Sequence, residues 1–126
     1  MIAVDASTMI QLLTNAPGSS HIAALLDGDI VAPELLIAEV TRFLARLERH
    51  GEPVEPARSA LADAAIDYLP TWPHAERMWV LRHNVSLYDA SYVVVAETME
   101  CPLLTADTRL GRATGLRTAV ILTPTA

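Results

Sequence analysis

Met1-Ile2-Ala3-Val4-Asp5 decides the fold: an apolar run too short for a helix, closed by a carboxylate. It reads as a buried strand. Asp5 or Ser7 can then cap a helix to about Asn15, which Pro17-Gly18 interrupts. A second short helix starts at Ser19 or Ser20 and ends near Asp27-Gly28-Asp29, and Ile30-Val31-Ala32 is a second strand. Strands alternating with helices imply a mainly parallel, twisted sheet with helices on both faces, a three-layer α/β/α arrangement. Ligands of such sheets bind at the carboxyl ends of the strands. Asp5 stands at one of those ends.

The remaining chain extends the pattern. Pro33 suits the first turn of a helix that runs to Arg49 and closes at Gly51. Its apolar stripe is Leu36, Val40, Phe43 and Leu47, and Glu39 borders that stripe, a poor place for a solvated carboxylate. After a break at Glu52 to Glu55, Pro56 to Tyr68 reads as an amphipathic helix through Leu61, Ala65 and Leu69. Leu69 to Pro73 is a loop, followed by a helix from His74 to about His83. Trp72, Met78 and Trp79 belong either to the core or to an apolar surface. Val85 to Met99 could hold a strand at Val93-Val94-Val95, but its length and the pair Ser86 and Asp89, which fits a capping box, favour a buried helix. Leu103-Leu104 and Thr118 to Leu122 read as the last strands, with a helix from about Thr108 to Thr114 between them.

A chain of 126 residues suits one domain, residues 1–126, with a single core and no disulfide or structural metal. Its hydrophobic fraction of 52% and positive mean hydropathy favour a compact globule over a disordered chain. No apolar run reaches the roughly 18 to 20 residues that span a bilayer, and no signal-peptide pattern is present. The lone Cys101 excludes an internal disulfide and a multi-cysteine zinc site, so a reduced cytoplasm is the expected location. A net charge of −6 argues against a broad electrostatic grip on nucleic acid. All fixed positive charge is arginine. Arg42, Arg46 and Arg49 fall at near-helical spacing, and Arg109, Arg112 and Arg117 follow the last aspartate. They are either solvated helix faces or local phosphate contacts.

Four acids carry the chemistry. Asp5 and Asp107 each follow a strand within two residues, so the fold brings them to one edge. Asp5 could instead be a helix cap, Asp107 has the same alternative beside Thr105 and Thr108, and Asp89 could be only a capping-box acid. Glu39 is harder to dismiss, because burying an ionised acid without a partner is costly. Should the four meet, they would repel one another unless a hard cation filled the pocket. None of the four His has the spacing of a metal-ligand pair, and Ser7 lacks a nearby base motif for covalent catalysis.

Val4-Asp5-Ala6-Ser7, Pro33-Glu34-Leu35-Leu36-Ile37-Ala38-Glu39-Val40, Leu87-Tyr88-Asp89-Ala90-Ser91-Tyr92 and Leu104-Thr105-Ala106-Asp107-Thr108-Arg109-Leu110 resemble the successive motifs of PIN domains. Their order, spacing and overall length most resemble the VapC toxins of bacterial toxin–antitoxin pairs. The resemblance implies Mg²⁺- or Mn²⁺-dependent cleavage of RNA, with Asp5, Glu39, Asp89 and Asp107 as the acidic tetrad. Asp5, Asp89 and Asp107 are the expected metal ligands, direct or through water, and Ser7 and Thr105 match the accompanying hydroxyl residues. It also implies a homodimer and inhibition by a cognate antitoxin. One departure stands out: three residues after the second acid many relatives carry a small polar residue such as Asn, where this chain has Arg42. Arg42 could contact phosphate or pair with Glu39 or Asp89, and Arg109 is a second candidate phosphate contact.

Single residues disfavour the rival readings. A haloacid-dehalogenase-type phosphatase needs a second Asp where Ser7 stands, and both it and a response-regulator receiver need a Lys, which this chain lacks. No P-loop is present. A PIN-type nuclease of RNA processing and a degenerate PIN domain acting as a binding module remain as alternatives.

Overall fold

Five short strands form one sheet in the computed structural model, which describes residues 1–124. They are β1 (Ile2–Val4), β2 (Ile30–Pro33), β3 (Ile66–Leu69), β4 (Leu103–Thr105) and β5 (Val120–Leu122), in the order β3-β2-β1-β4-β5 with every pairing parallel. Between them run α1 (Ala6–Leu13), α2 (Ser19–Leu25), α3 (Leu35–Arg49), α4 (Glu55–Asp63), α5 (Ala75–Val80), α6 (Leu87–Thr98) and α7 (Thr108–Gly111). The chain steps outward from β1 to β3, then returns to lay β4 and β5 on the other side of β1. Right-handed crossovers in opposite directions put the earlier helices on one face and the later ones on the other. The packing agrees: α1 meets α2, α3 and α4, whereas α5 packs on α6, which itself covers β1, β2 and β4. The expected three layers are present.

The strand order reverses between β1 and β4, so the crevice at their carboxyl ends is the binding position of such a sheet. Burial explains which strands are central. Val4, Val31, Leu103 and Leu104 are fully buried, whereas edge strand β3 exposes Asp67 and edge strand β5 exposes Ile121 and Leu122. Helix α6 is buried continuously from Ala90 to Ala96, between the sheet and α5. That is why its valine run resembled a strand: a helix enclosed all round shows no amphipathic period.

Three local expectations are corrected. The helix expected to Tyr68 ends at Asp63; Ala64 turns extended (ψ 130°) and Ile66 to Leu69 pair with Ile30 to Pro33 as β3. Leu61, Ala65 and Leu69 matched a helical period by coincidence, while Pro70 and the alternation at Ile66-Asp67 marked the strand. Pro33 ends β2 instead of opening α3, beyond the last residue paired with β1, where its missing N–H breaks no bond to that strand. The helix expected over 74–83 is split into a 3₁₀ turn at Trp72–His74, α5, and another turn at Leu81–His83. Of the two readings of the tryptophans, the surface one holds: Trp72 is 80% and Trp79 59% exposed, while Met78 packs against the core. Arg82 stacks over the Trp79 ring at 4.1 Å. Among the described residues no helix is long and apolar enough to cross a membrane.

Candidate active site

Asp5 leaves β1 in extended conformation and caps α1, so its carboxylate stands at the strand-order reversal. Its Oδ1 accepts from the Thr8 N–H at 3.0 Å and from the Ser7 hydroxyl at 2.7 Å, and its Oδ2 accepts from the Thr105 hydroxyl at 2.5 Å. Each hydroxyl accepts in turn from the loop after β4: Ser7 Oγ from the Ala106 N–H and Thr105 Oγ1 from the Asp107 N–H, both at 3.0 Å. Thr8 Oγ1 donates to the Leu104 carbonyl at 2.8 Å. Two hydroxyls therefore tie the loop that carries Asp107 to the carboxylate of Asp5. Capping and a place in the site are one role here, not alternatives.

Asp107 caps α7, accepting from the Arg109 N–H at 2.9 Å. The Arg109 guanidinium donates to both its oxygens, at 3.3 and 3.1 Å, and this side-chain bond chiefly holds the carboxyl below the usual range. The Arg109 side chain is 83% exposed, so water screens the pair.

Glu39 reaches the same region from α3, half-buried beside the fully buried Leu36 and Val40. The Tyr92 hydroxyl, from α6, donates to its Oε1. Asp89 lies in the first turn of α6, where Ser86 is the cap and accepts the Asp89 N–H at 3.1 Å. Among the described residues the Asp89 carboxyl does not accept the return bond of a capping box, from the Ser86 N–H. Its pKa is raised, first by burial; the Ser86 hydroxyl opposes this, and the charges of Asp107, Asp5 and Glu39 raise it further. The fold thus gathers all four acids into one electrostatic neighbourhood.

These residues suit a hard divalent cation by chemistry: four carboxylates flanked by hydroxyls, with no soft donor among them. Among the described residues no three acidic, His or Cys side chains converge tightly enough to enclose an ion.

Arg42 is exposed and forms no ion pair with Glu39 or Asp89. With Ser7, Glu39 and Arg46 it lines a hollow of about 260 Å³. On the Asp89 side, His83, Asn84, Ser86 and Arg109 line another of about 300 Å³. Each hollow thus pairs an acid with an arginine. Tyr92 was not singled out from the sequence; the signal was spacing, since it lies one turn beyond Asp89. Arg46, read from the sequence with Arg42 as a solvated or phosphate-contacting arginine, lines the Glu39 hollow.

A profile of the PIN domain matches residues 2–116. The chain is 40% identical over 124 residues to ribonuclease VapC1 of Mycobacterium tuberculosis, covering 90% of each protein. It is 37% identical to VapC ribonuclease Mb0985 of Mycobacterium bovis, covering 87% of this chain and 88% of that one. Among solved structures, PAE2754 from Pyrobaculum aerophilum superposes with a TM-score of 0.68 at 25% identity, over 94% of this chain and 81% of that one. A chain of VapBC2 from Rickettsia felis, solved bound to a promoter DNA fragment, gives a TM-score of 0.69 at 14% identity, over 98% and 100%. At that identity the likeness is one of fold.

Proposed function

The chain belongs to the PIN-domain family, in its VapC group, and from that premise we propose that it is a metal-dependent endoribonuclease, the toxin of a toxin–antitoxin pair. The observation that carries the reading is Asp89: a half-buried acid, raised in pKa, beside three other carboxylates. Such a group is tolerated best where a cation compensates it. The names of the relatives, ribonucleases over nearly the whole chain, support RNA as substrate.

Asp5, Asp89 and Asp107 would hold Mg²⁺ or Mn²⁺, directly or through water. When bound, the ion supplies Lewis-acid polarisation of the scissile phosphate and a lower pKa for the attacking water. Glu39 orients that water and takes its proton. Arg109 leaves Asp107 to meet a phosphate, and Arg42, unpaired among the described residues, meets another on the Glu39 side. A protein of net charge −6 then binds RNA through a few guanidinium groups and the ion, not through a broad basic face. The same group membership supports a homodimer and an antitoxin partner that blocks the site.

The test is cleavage of RNA by the purified protein. Chelation should abolish it and Mg²⁺ or Mn²⁺ restore it, and Asp5→Asn or Asp89→Asn should each lower the rate roughly 10³-fold or more. Undiminished cleavage by either variant would refute the site. A wild-type protein that binds RNA without cutting it would indicate a binding module.

A further inference from the structure

We propose that Tyr92 is the positioning residue of Glu39, fixing through its hydroxyl which carboxylate oxygen faces the reacting water. The inference rests on the nuclease reading and adds a residue to it.

Tyr92 is 2% exposed, its ring locked in the core, and its hydroxyl donates to Oε1 of Glu39, a residue 53 positions away in sequence. The bond joins α6 to α3. Tyr92 and Asp89, three residues apart, share one face of α6, so that helix brings both an acid to the site and a donor to the acid opposite. A glutamate half-open to solvent on a helix surface has three side-chain torsions to fix. Burial of most of the ring makes the hydroxyl a fixed point where an exposed partner would not be. Burial above all, then the Glu39 bond and charge, push the phenol far above its usual pKa, so it remains a donor throughout the working pH range. Oε1 is taken. Oε2 is left for water in the hollow whose other polar lining is Ser7, Arg42 and Arg46.

The bland alternative is that Glu39 merely satisfies a buried phenol. Tyr92→Phe separates the two, since it keeps the ring and removes only the hydroxyl. If Tyr92 positions Glu39, the variant folds, its kcat drops roughly 10- to 100-fold, and its KM for RNA stays within about twofold. In a Glu39→Gln background the same change lowers kcat less than about twofold further, because the two side chains act as a unit. A second readout needs no turnover: the ¹³C signal of the Glu39 carboxyl, assigned by its loss in Glu39→Gln, shifts and broadens in metal-free Tyr92→Phe. Unchanged kcat with an unmoved Glu39 signal would overturn the inference and leave the nuclease reading intact. Equal losses of kcat in both backgrounds would also overturn it. No metal-dependent cleavage by wild type would overturn the nuclease reading, and the inference with it.

Discussion

Asp5 and Asp89 belong to one site but are built in opposite ways. Asp5 is 4% exposed, and its two oxygens accept from a backbone N–H and two hydroxyls. Asp89 is half-buried, pressed by three other carboxylates, with only the Ser86 hydroxyl to offset the strain. Donors around a carboxylate offset the cost of burying it, whereas a carboxylate facing like charges is destabilising until a cation arrives. One side of the site is therefore a finished frame, and the other is where the proposed cation would act. Substitutions at the first should cost stability, and those at the second should not.

The largest expected stability effect tests the frame. Thr105→Val keeps shape but removes the hydroxyl that donates to Asp5 and accepts from Asp107 N–H. With the side chain fully buried, the groups left unpaired should cost about 1–3 kcal/mol, a melting temperature lower by roughly 3 °C or more. Thermal unfolding of the metal-free protein measures it; a fall under about 1 °C would mean that the hydroxyl relay carries no weight.

A smaller effect sharpens the other side. An acid whose folded pKa is raised holds its proton more readily folded than unfolded, so metal-free stability falls as pH rises from the ordinary aspartate value through the raised one. Asp107, with its pKa lowered, works the other way and contributes stability that is lost as pH falls through its folded value. Asp89→Asn removes only the first dependence. The gain of the variant over wild type should thus vanish near pH about 4 and grow towards about 7. Melting curves across that range decide it, and a difference that ignores pH would show that neither burial nor the neighbouring charges hold Asp89 above the ordinary range.

The layering of the fold was legible because its central strands are short, apolar and each followed by a helix signal, as in Met1 to Asp5. The same rule placed Asp5 and Asp107 at one edge. What could not be read was set by tertiary contacts. Strand β3 exists because Ile66 to Leu69 meet β2, and its local marks, Pro70 and the Ile66-Asp67 alternation, are weaker than the helical spacing of Leu61, Ala65 and Leu69. The exposure of Trp72 and Trp79 depends on how the short turns around α5 break the helical period. The partner of Glu39 was equally invisible, since Tyr92 lies 53 residues away and an aromatic in an apolar helix reads as core. It is core; its hydroxyl alone reaches the site.

The central claim, that four acids converge to create a need for a divalent cation, is tested most directly by melting wild type and Asp89→Asn with and without Mg²⁺. Ser86 still caps α6 in the variant, because the bond it accepts comes from a backbone N–H. Without metal the variant should melt at the same temperature as wild type or higher. For a dissociation constant of ~1 mM, ~10 mM Mg²⁺ would stabilise wild type by roughly 1.4 kcal/mol, or about 3–6 °C for a chain of this length, and should reverse the ranking because only the intact site gains binding energy. A metal-free variant clearly less stable than wild type, with no Mg²⁺ shift in either protein, would contradict the account and leave Asp89 as an acid that serves only its helix.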